Sequence, residues 1–308
     1  MPRVIFPDCT PYMAQYFDEA ARAIVPELAL HVGTPSTAEF VRAAQDAVAV
    51  VHFQTRLSEP MLVACPKLKV IVFLGTGVSS WVDLPAAERC GIKVRRVLGY
   101  ADRTVAEHAL ALVFACARRI AAMDREIRAG IWRADALFEL AGKTLGVIGL
   151  GGIGREMARL GVALGMRVIA WNRSSVTEPL PYEPSNIDEI MRRADVVSLH
   201  LALNDETRGI IDRRRLALMK PGSVFVNTAR GGLVDQAALA ELLLTRRIGA
   251  AGIDVFAQEP QPASDPLNRL DNVVLTAHSA WMSPEAARRL VRLGVKALAD
   301  ELAKLDGV

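Results

Sequence analysis

The chain has 308 residues, 51% of them hydrophobic and 23% charged, with a formal net charge of +3 at pH 7; that describes a globular protein too long for one core, so two domains are expected and disorder is excluded. The small charge, with basic residues in short clusters such as Arg192-Arg193 and Arg213-Arg214-Arg215, argues against a nucleic-acid partner. The scattered cysteines Cys9, Cys65, Cys90 and Cys116 lack metal-ligand or disulfide spacing, no apolar run is long enough to span a bilayer, and "MPRVIFPD" is no signal peptide, so a metal-free protein of the cytoplasm, away from membranes, is expected.

Short β-branched runs alternate with Ala/Leu/Arg-rich stretches of helical spacing. In the first third the pattern predicts strands over 3–6, 28–32, 47–53, 68–74 and 92–97, with helices over 13–24, 37–44, 59–64 and 84–89 between them. A long helix follows over 102–128, with Asp102 as its N-cap. A second series of strands is predicted over 145–150, 167–171, 195–199, 223–227, 250–255 and 272–276, and a last helix over 284–302. Such alternation implies parallel sheets covered by helices on both faces. "EPLPYEP" and "EPQPASDP" read as Pro-rich loops rather than linkers.

The second series opens with "TLGVIGLGGIGREMARLG", in which Gly149, Gly151 and Gly154 form G-x-G-x-x-G between a strand and a helix. The first glycine allows the tight turn, the second lets the backbone approach a pyrophosphate, and the third brings helix and strand together. With Gly152 and Ile153 they present the amides of a helix N-terminus to phosphates. A glycine triplet alone is weak, but the strand-turn-helix setting favours a dinucleotide. At the end of the next strand, "VIAWNRSS" puts Asn172 where an acid would hold the adenosine ribose, followed by Arg173 and Ser174. Loss of the carboxylate and gain of a guanidinium favour NADP(H) over NAD(H), the alternative being a solvated Arg173 and a site that accepts both.

Three further strands end in polar loops. "FVNTARGGLVD" carries Thr228, Ala229 and Arg230, "GIDVFAQEP" carries Asp254 and Glu259, and "NVVLTAHSAW" ends on His278 and Trp281. A histidine at a strand end, taken alone, is as well read as a cap. Ligands of open α/β sheets bind beyond the carboxyl ends of the strands, however, and an Arg, a Glu and a His arriving on one edge form a specific constellation.

With "LGTGVSS", "TVAEHALAL", "DVVSLHLALNDETRGII" and "MKPGSVFVNTARGGLVD", these motifs stand in the order of the D-2-hydroxyacid dehydrogenase family, which the chain resembles from about Leu62 onward. The resemblance implies an α/β protein of two doubly wound parallel-sheet domains. A Rossmann cofactor domain, residues 101–282, would be inserted in a flavodoxin-like substrate domain, residues 1–100 plus 283–308, and cofactor domains would pair into a homodimer. It also implies roles. Arg230 would bind the substrate carboxylate and reacting carbonyl, His278 would exchange a proton with the substrate oxygen, and Glu259 would orient the imidazole. Gly75, Thr76, Gly77 and Val78 resemble the loop whose amides hold the substrate carboxylate, with a plain glycine turn as the alternative. Asp254 matches an aspartate that contacts the nicotinamide carboxamide, with a turn cap as its alternative. Thr104 matches a position near the cofactor, or caps a helix.

Other assignments are simpler. His200 lies at the dinucleotide cleft, where a structural role is favoured; His108 reads as packing or interface; His31 and His52 have no special claim. Trp281 either shapes the substrate pocket or packs. Ser79 departs from the acidic residue common after the family's glycine loop.

The expected function is therefore reduction of a small 2-keto acid, with glyoxylate and hydroxypyruvate favoured. Phosphoglycerate dehydrogenase is the alternative enzyme, and a dinucleotide-sensing corepressor-like protein without catalysis is the alternative from another class. The lack of tails or a regulatory domain in the sequence weighs toward the reductase. Formate oxidation is disfavoured, because it needs no carbonyl proton transfer and so no Glu259 partner.

Overall fold

The computed structural model describes residues 4–134, 137–175 and 181–306. In chain order these form β1 (Val4–Cys9), α1 (Pro11–Ala14), α2 (Glu19–Ile24), β2 (Leu28–Val32), α3 (Thr37–Ala44), β3 (Ala49–His52), α4 (Glu59–Val63), β4 (Val70–Phe73), α5 (Leu84–Arg89) and β5 (Lys93–Arg96). Then come α6 (Asp102–Ala117), α7 (Ile120–Arg128), β6 (Thr144–Ile148), α8 (Gly152–Ala163), β7 (Arg167–Trp171), β8 (Glu183–Pro184), α9 (Ile187–Arg193) and β9 (Val196–Leu199). The chain closes with α10 (Arg213–Leu218), β10 (Val224–Asn227), α11 (Gln236–Leu244), β11 (Ala250–Ile253), β12 (Val273–Leu275) and α12 (Pro284–Asp306). Two compact units result, Met1–Ala101 with Met282–Val308, and Asp102–Trp281.

The first unit is a parallel sheet of order β2-β1-β3-β4-β5, the order of a flavodoxin-like doubly wound fold. β1, β3 and β4 are buried along their whole length, because helices cover both faces. Phe40, Ala44, Met61, Leu62, Ala86 and Ala87 from α3, α4 and α5 pack on Ile5, Val50 and Ile71. The returning α12 packs on β3, β4 and α2. Local chemistry starts the helices where they start: Ser36 and Glu39 form a capping box on α3, and Asp83 caps α5.

The second unit is a parallel sheet of order β12-β11-β10-β9-β6-β7-β8, a Rossmann arrangement whose strand order reverses between β6 and β9. One face buries Ile187, Ile190, Leu216, Leu239 and Leu243 from α9, α10 and α11, and the other buries Ala106, Ala109, Val113, Met157 and Ala158 from α6 and α8. Register aligns the strand ends. Trp171, Ile148, Leu199, Asn227, Ile253 and Leu275 are successive partners across the sheet, so the residues just beyond them share one edge.

Two predicted helices are each two. Residues 13–24 divide at Asp18, whose carboxylate accepts from the Ala21 amide and restarts the chain as α2. The helix predicted over 102–128 breaks at Arg119, which takes the left-handed conformation with φ +50° and pairs with Glu126 at 3.3 Å. No hydrophobic period marks either break. β8 is two residues long and includes a proline, tolerable only because it is an edge strand.

Candidate active site

The glycine loop lies at the switch point of the second sheet. Gly149 has φ +101°, and a Cβ there would come within 2.6 Å of the His200 carbonyl oxygen; at Gly154 it would meet the Gly149 carbonyl oxygen at 1.8 Å, so neither position accepts a side chain. A Cβ on Gly151 would meet nothing within 4 Å, which leaves a cradle beside the N-terminus of α8. Asn172 braces this loop: its Oδ1 accepts from the Leu150 amide at 2.9 Å and its Nδ2 donates to the Ser174 carbonyl at 2.8 Å. Arg173 is 72% exposed and pairs with Glu206, equally exposed, at 2.7 Å. His200 packs behind the loop, hydrogen-bonded to Ser198 at 2.9 Å, and burial pushes its imidazole down to about 3. Oxygen atoms of the Asp102 carboxylate lie where a Cβ of Gly152 would sit, so the first turn of α6, with Thr104 in it, abuts Gly152 and the start of α8. Thr228 is buried, and its Oγ1 has no hydrogen-bond partner among the described residues. An open glycine cradle, a helix N-terminus and an orphaned hydroxyl on the same sheet edge fit a dinucleotide.

The loops after β10, β11 and β12 meet at this edge. A Cβ on Gly231 would sit 2.0 Å from the Phe256 carbonyl carbon, so only glycine lets the Arg230 loop press against the one that carries Glu259. The Arg230 guanidinium donates to the Ala229 carbonyl at 2.6 Å, and its charge acts on Glu259. Glu259 accepts from the Phe256 amide at 2.9 Å through Oε1 and meets His278 Nδ1 at 2.7 Å through Oε2. Burial opposes ionisation of Glu259, but the hydrogen bonds from His278 and Phe256 and the charges of His278 and Arg230 outweigh it and hold the carboxyl below its ordinary range. His278 keeps 35% of its side chain exposed and has φ +49°, a left-handed backbone rare outside glycine.

Asp254 sets that backbone. It is completely buried; its carbonyl accepts the His278 amide at 2.8 Å, and its carboxylate accepts the amides of Ser279 and Ala280 at 2.9 and 3.0 Å and the Thr276 hydroxyl at 2.6 Å. Trp281 follows, half-buried.

In the first unit, the Gly75 and Val78 amides bond inside their loop to Phe73 and Thr76, while those of Thr76 and Gly77 make no hydrogen bond among the described residues. Val78 is buried and Ser79 exposed in a short 3-10 turn over Val78–Ser80. Among the described residues no group of three or more His, Cys, Asp or Glu is arranged to hold a metal, and no helix is long and apolar enough to cross a membrane.

The sequence thus named the residues that meet here but not the arranging roles of Gly231 and Thr276, and it marked Asp102 only as a helix cap. Thr276 carried no signal, since its partners are distant in sequence, and Asp102, expected to cap the helix, is instead the first residue of α6 with its carboxylate against Gly152. Gly231 was visible only as one of two glycines after Arg230.

The family model described as D-isomer specific 2-hydroxyacid dehydrogenase, NAD binding domain, matches residues 110–280. A hydroxypyruvate reductase of Thermotoga maritima is 41% identical over 249 residues, 79% of this chain and 80% of that one. A D-3-phosphoglycerate dehydrogenase of Mycobacterium leprae is 40% identical over 264 residues, 84% of this chain but 50% of the relative, so the chain spans about half the length of that protein. Among solved structures, an acyclic imino acid reductase in complex with NADPH and D-Arg superposes with a TM-score of 0.88 at 29% identity, over 98% of this chain and 97% of the other.

Proposed function

The chain belongs to the D-isomer specific 2-hydroxyacid dehydrogenase family, and on that premise we propose that it reduces a small 2-keto acid, glyoxylate or hydroxypyruvate, with NADPH. Family membership makes it an oxidoreductase that moves hydride between a nicotinamide dinucleotide and the 2-carbon of a keto or hydroxy acid. The observation that carries the reading is the 2.7 Å bond between His278 Nδ1 and Glu259 beside the charge of Arg230.

The dinucleotide would supply the hydride when bound and would be held by the amides of Gly151, Gly152 and Ile153 and by Thr228 and Ala229, with Thr104 beside the cradle and His200 backing the glycine loop. His278 donates the Nε2 proton to the substrate oxygen as the carbonyl is reduced, and recovers it in the reverse direction. Ionised Glu259 accepts a hydrogen bond from Nδ1–H, which holds the ring with Nε2 turned to the reacting group. Arg230 binds the substrate carboxylate and polarises the carbonyl, a task suited to a planar fork of donors. In the first unit, the adjacent amides of Thr76 and Gly77, between Gly75 and Val78, form a nest suited to a carboxylate. Asp254 serves the site through the His278 loop, a carboxamide contact being its second role, and Trp281 walls the pocket.

NADPH is favoured by the amide at Asn172, which puts no charge against a 2′-phosphate, and by exposed Arg173 with Ser174 beside it. The Arg173–Glu206 pair is weak because both partners are solvated, and a phosphate competes for the guanidinium with more charge. The hydroxypyruvate reductase relative supports the substrate class. The exposed Ile120, Ile127, Ile131 and Trp132, close along and just beyond α7, support a homodimer, and four free cysteines fit the cytoplasm.

A steady-state screen of glyoxylate, hydroxypyruvate, pyruvate and 3-phosphohydroxypyruvate with NADPH and NADH tests the proposal. Turnover of the first two with higher kcat/KM for NADPH is expected. Equal efficiency with both cofactors removes the NADP assignment, preference for the phosphorylated acid moves the chain to phosphoglycerate oxidation, and tight dinucleotide binding without turnover makes it a sensor.

A further inference from the structure

His108 lies on α6, far in sequence from the catalytic loops, and none of the chemistry above uses it. Its Nε2 is 3.1 Å from the Thr276 hydroxyl and 3.7 Å from Asp254 Oδ1. The Thr276 hydroxyl donates its single proton to Asp254 Oδ1 at 2.6 Å, so toward His108 it presents a lone pair, and His108 Nε2 is the donor. The hydrogen bonds therefore run in one direction, from His108 through Thr276 to Asp254. Asp254 is completely buried and has no Lys or Arg partner among the described residues; the His108 imidazole is the group nearest it that can carry positive charge. A buried carboxylate held by so few groups depends on each of them. It is the same carboxylate that gathers the amides of Ser279 and Ala280, while the Asp254 carbonyl takes the amide of His278 in its unfavourable left-handed conformation.

We propose that His108 and Thr276 are positioning residues for hydride transfer, a tether that fixes the Asp254 carboxylate and through it the backbone that aims the His278 imidazole. The proposal rests on His278 being the proton donor. Neither residue touches substrate; each acts on the turnover step by holding the loop at a backbone angle it would otherwise leave. A displacement of about 1 Å at the imidazole suffices to slow proton transfer by about 10- to 100-fold. Binding of keto acid or dinucleotide, which Arg230 and the glycine cradle carry, is left largely alone.

The test combines kinetics with amide hydrogen exchange on the full chain. His108→Ala and Thr276→Val are each expected to lower kcat for hydroxypyruvate about 10-fold or more, with KM and the Kd for NADPH within about twofold of the parent. His108→Gln, which keeps an N–H donor near the Nε2 position, restores most of the rate. The double variant is no slower than Thr276→Val alone, because both act on one chain of bonds. The Ser279 and Ala280 amides exchange faster in both single variants while those of β9 and β10 do not. Unchanged kcat in His108→Ala, multiplying losses in the double variant, failure of His108→Gln to recover rate, or a parallel loss of NADPH affinity overturns the proposal. If the parent protein reduces no keto acid, the proposed function falls on its own, and unchanged exchange at Ser279 and Ala280 still counts against the tether separately.

Discussion

His52 and His278 each stand at or just beyond the end of a parallel strand with a carboxylate nearby, yet their chemistry is opposite. His52 ends β3 beside the switch point of the first sheet, is completely buried, and reaches no hydrogen-bond partner of ordinary geometry among the described residues, its contact to the Thr55 backbone being weaker. The carboxylate near it, Asp8, is consumed by the amides of Phe53, Gln54 and Thr55 at 2.7 to 3.3 Å. Burial therefore wins over the Asp8 charge and pushes the imidazole down to about 4, so it stays neutral. In the second unit the labour is divided between two carboxylates. Asp254 takes the loop amides, as Asp8 does, which leaves Glu259 to serve the imidazole, and His278 keeps an exposed side. On the proposed reading, a strand-end histidine serves as a proton carrier where one acid shapes the backbone and a second faces the ring at the solvent edge.

The largest effect should come from the ring itself. His278→Ala is expected to lower kcat for keto-acid reduction by about 10²- to 10⁴-fold while NADPH binding, read by fluorescence titration, is retained. His52→Leu should change the same kcat by less than about twofold; comparable losses in the two variants would break the contrast.

Acid stability sharpens it from the other side. Because His52 is depressed from 6.5 to about 4 in the fold, the unfolded chain binds the proton first. Its contribution is fully present above about pH 6.5 and lost as the pH falls toward 4, on the order of 3 kcal/mol at about 1.4 kcal/mol per unit. Urea unfolding of His52→Leu should therefore lose less stability across that window than the parent does. Part of the loss persists in the variant, because burial also holds His200 down to about 3. Identical slopes would mean that His52 is solvated.

The smallest effect lies on the exposed rim. Glu206→Gln frees Arg173 and should raise the NADPH-over-NADH ratio of kcat/KM by no more than about fivefold, since the pair is solvated on both sides. A fall in that ratio would place Arg173 away from the 2′-phosphate.

Much of the architecture was legible in the chain, because a strand buried on both faces must be apolar throughout and a covering helix must repeat its apolar residues near every fourth position. The breaks at Asp18 and Arg119 were not, since a cap and a left-handed residue leave no period. Arg230, Glu259 and His278 were legible as residue types at strand ends. His108 read as packing, and the orphaned Thr228 hydroxyl could be found only by counting its neighbours.

By itself the sequence determined two parallel sheets, a glycine loop that can cradle phosphates, and the presence of an Arg, a Glu and a His at strand ends. These follow from side-chain period and from chemistry carried within a few neighbouring residues. Tertiary structure alone decided which acid faces which imidazole, which histidine is drained of its proton by burial, and that a threonine and a histidine 168 positions apart meet at Asp254. Desolvation and hydrogen-bond direction depend on atoms that the fold, and not the order of residues, brings within about 3 Å of one another.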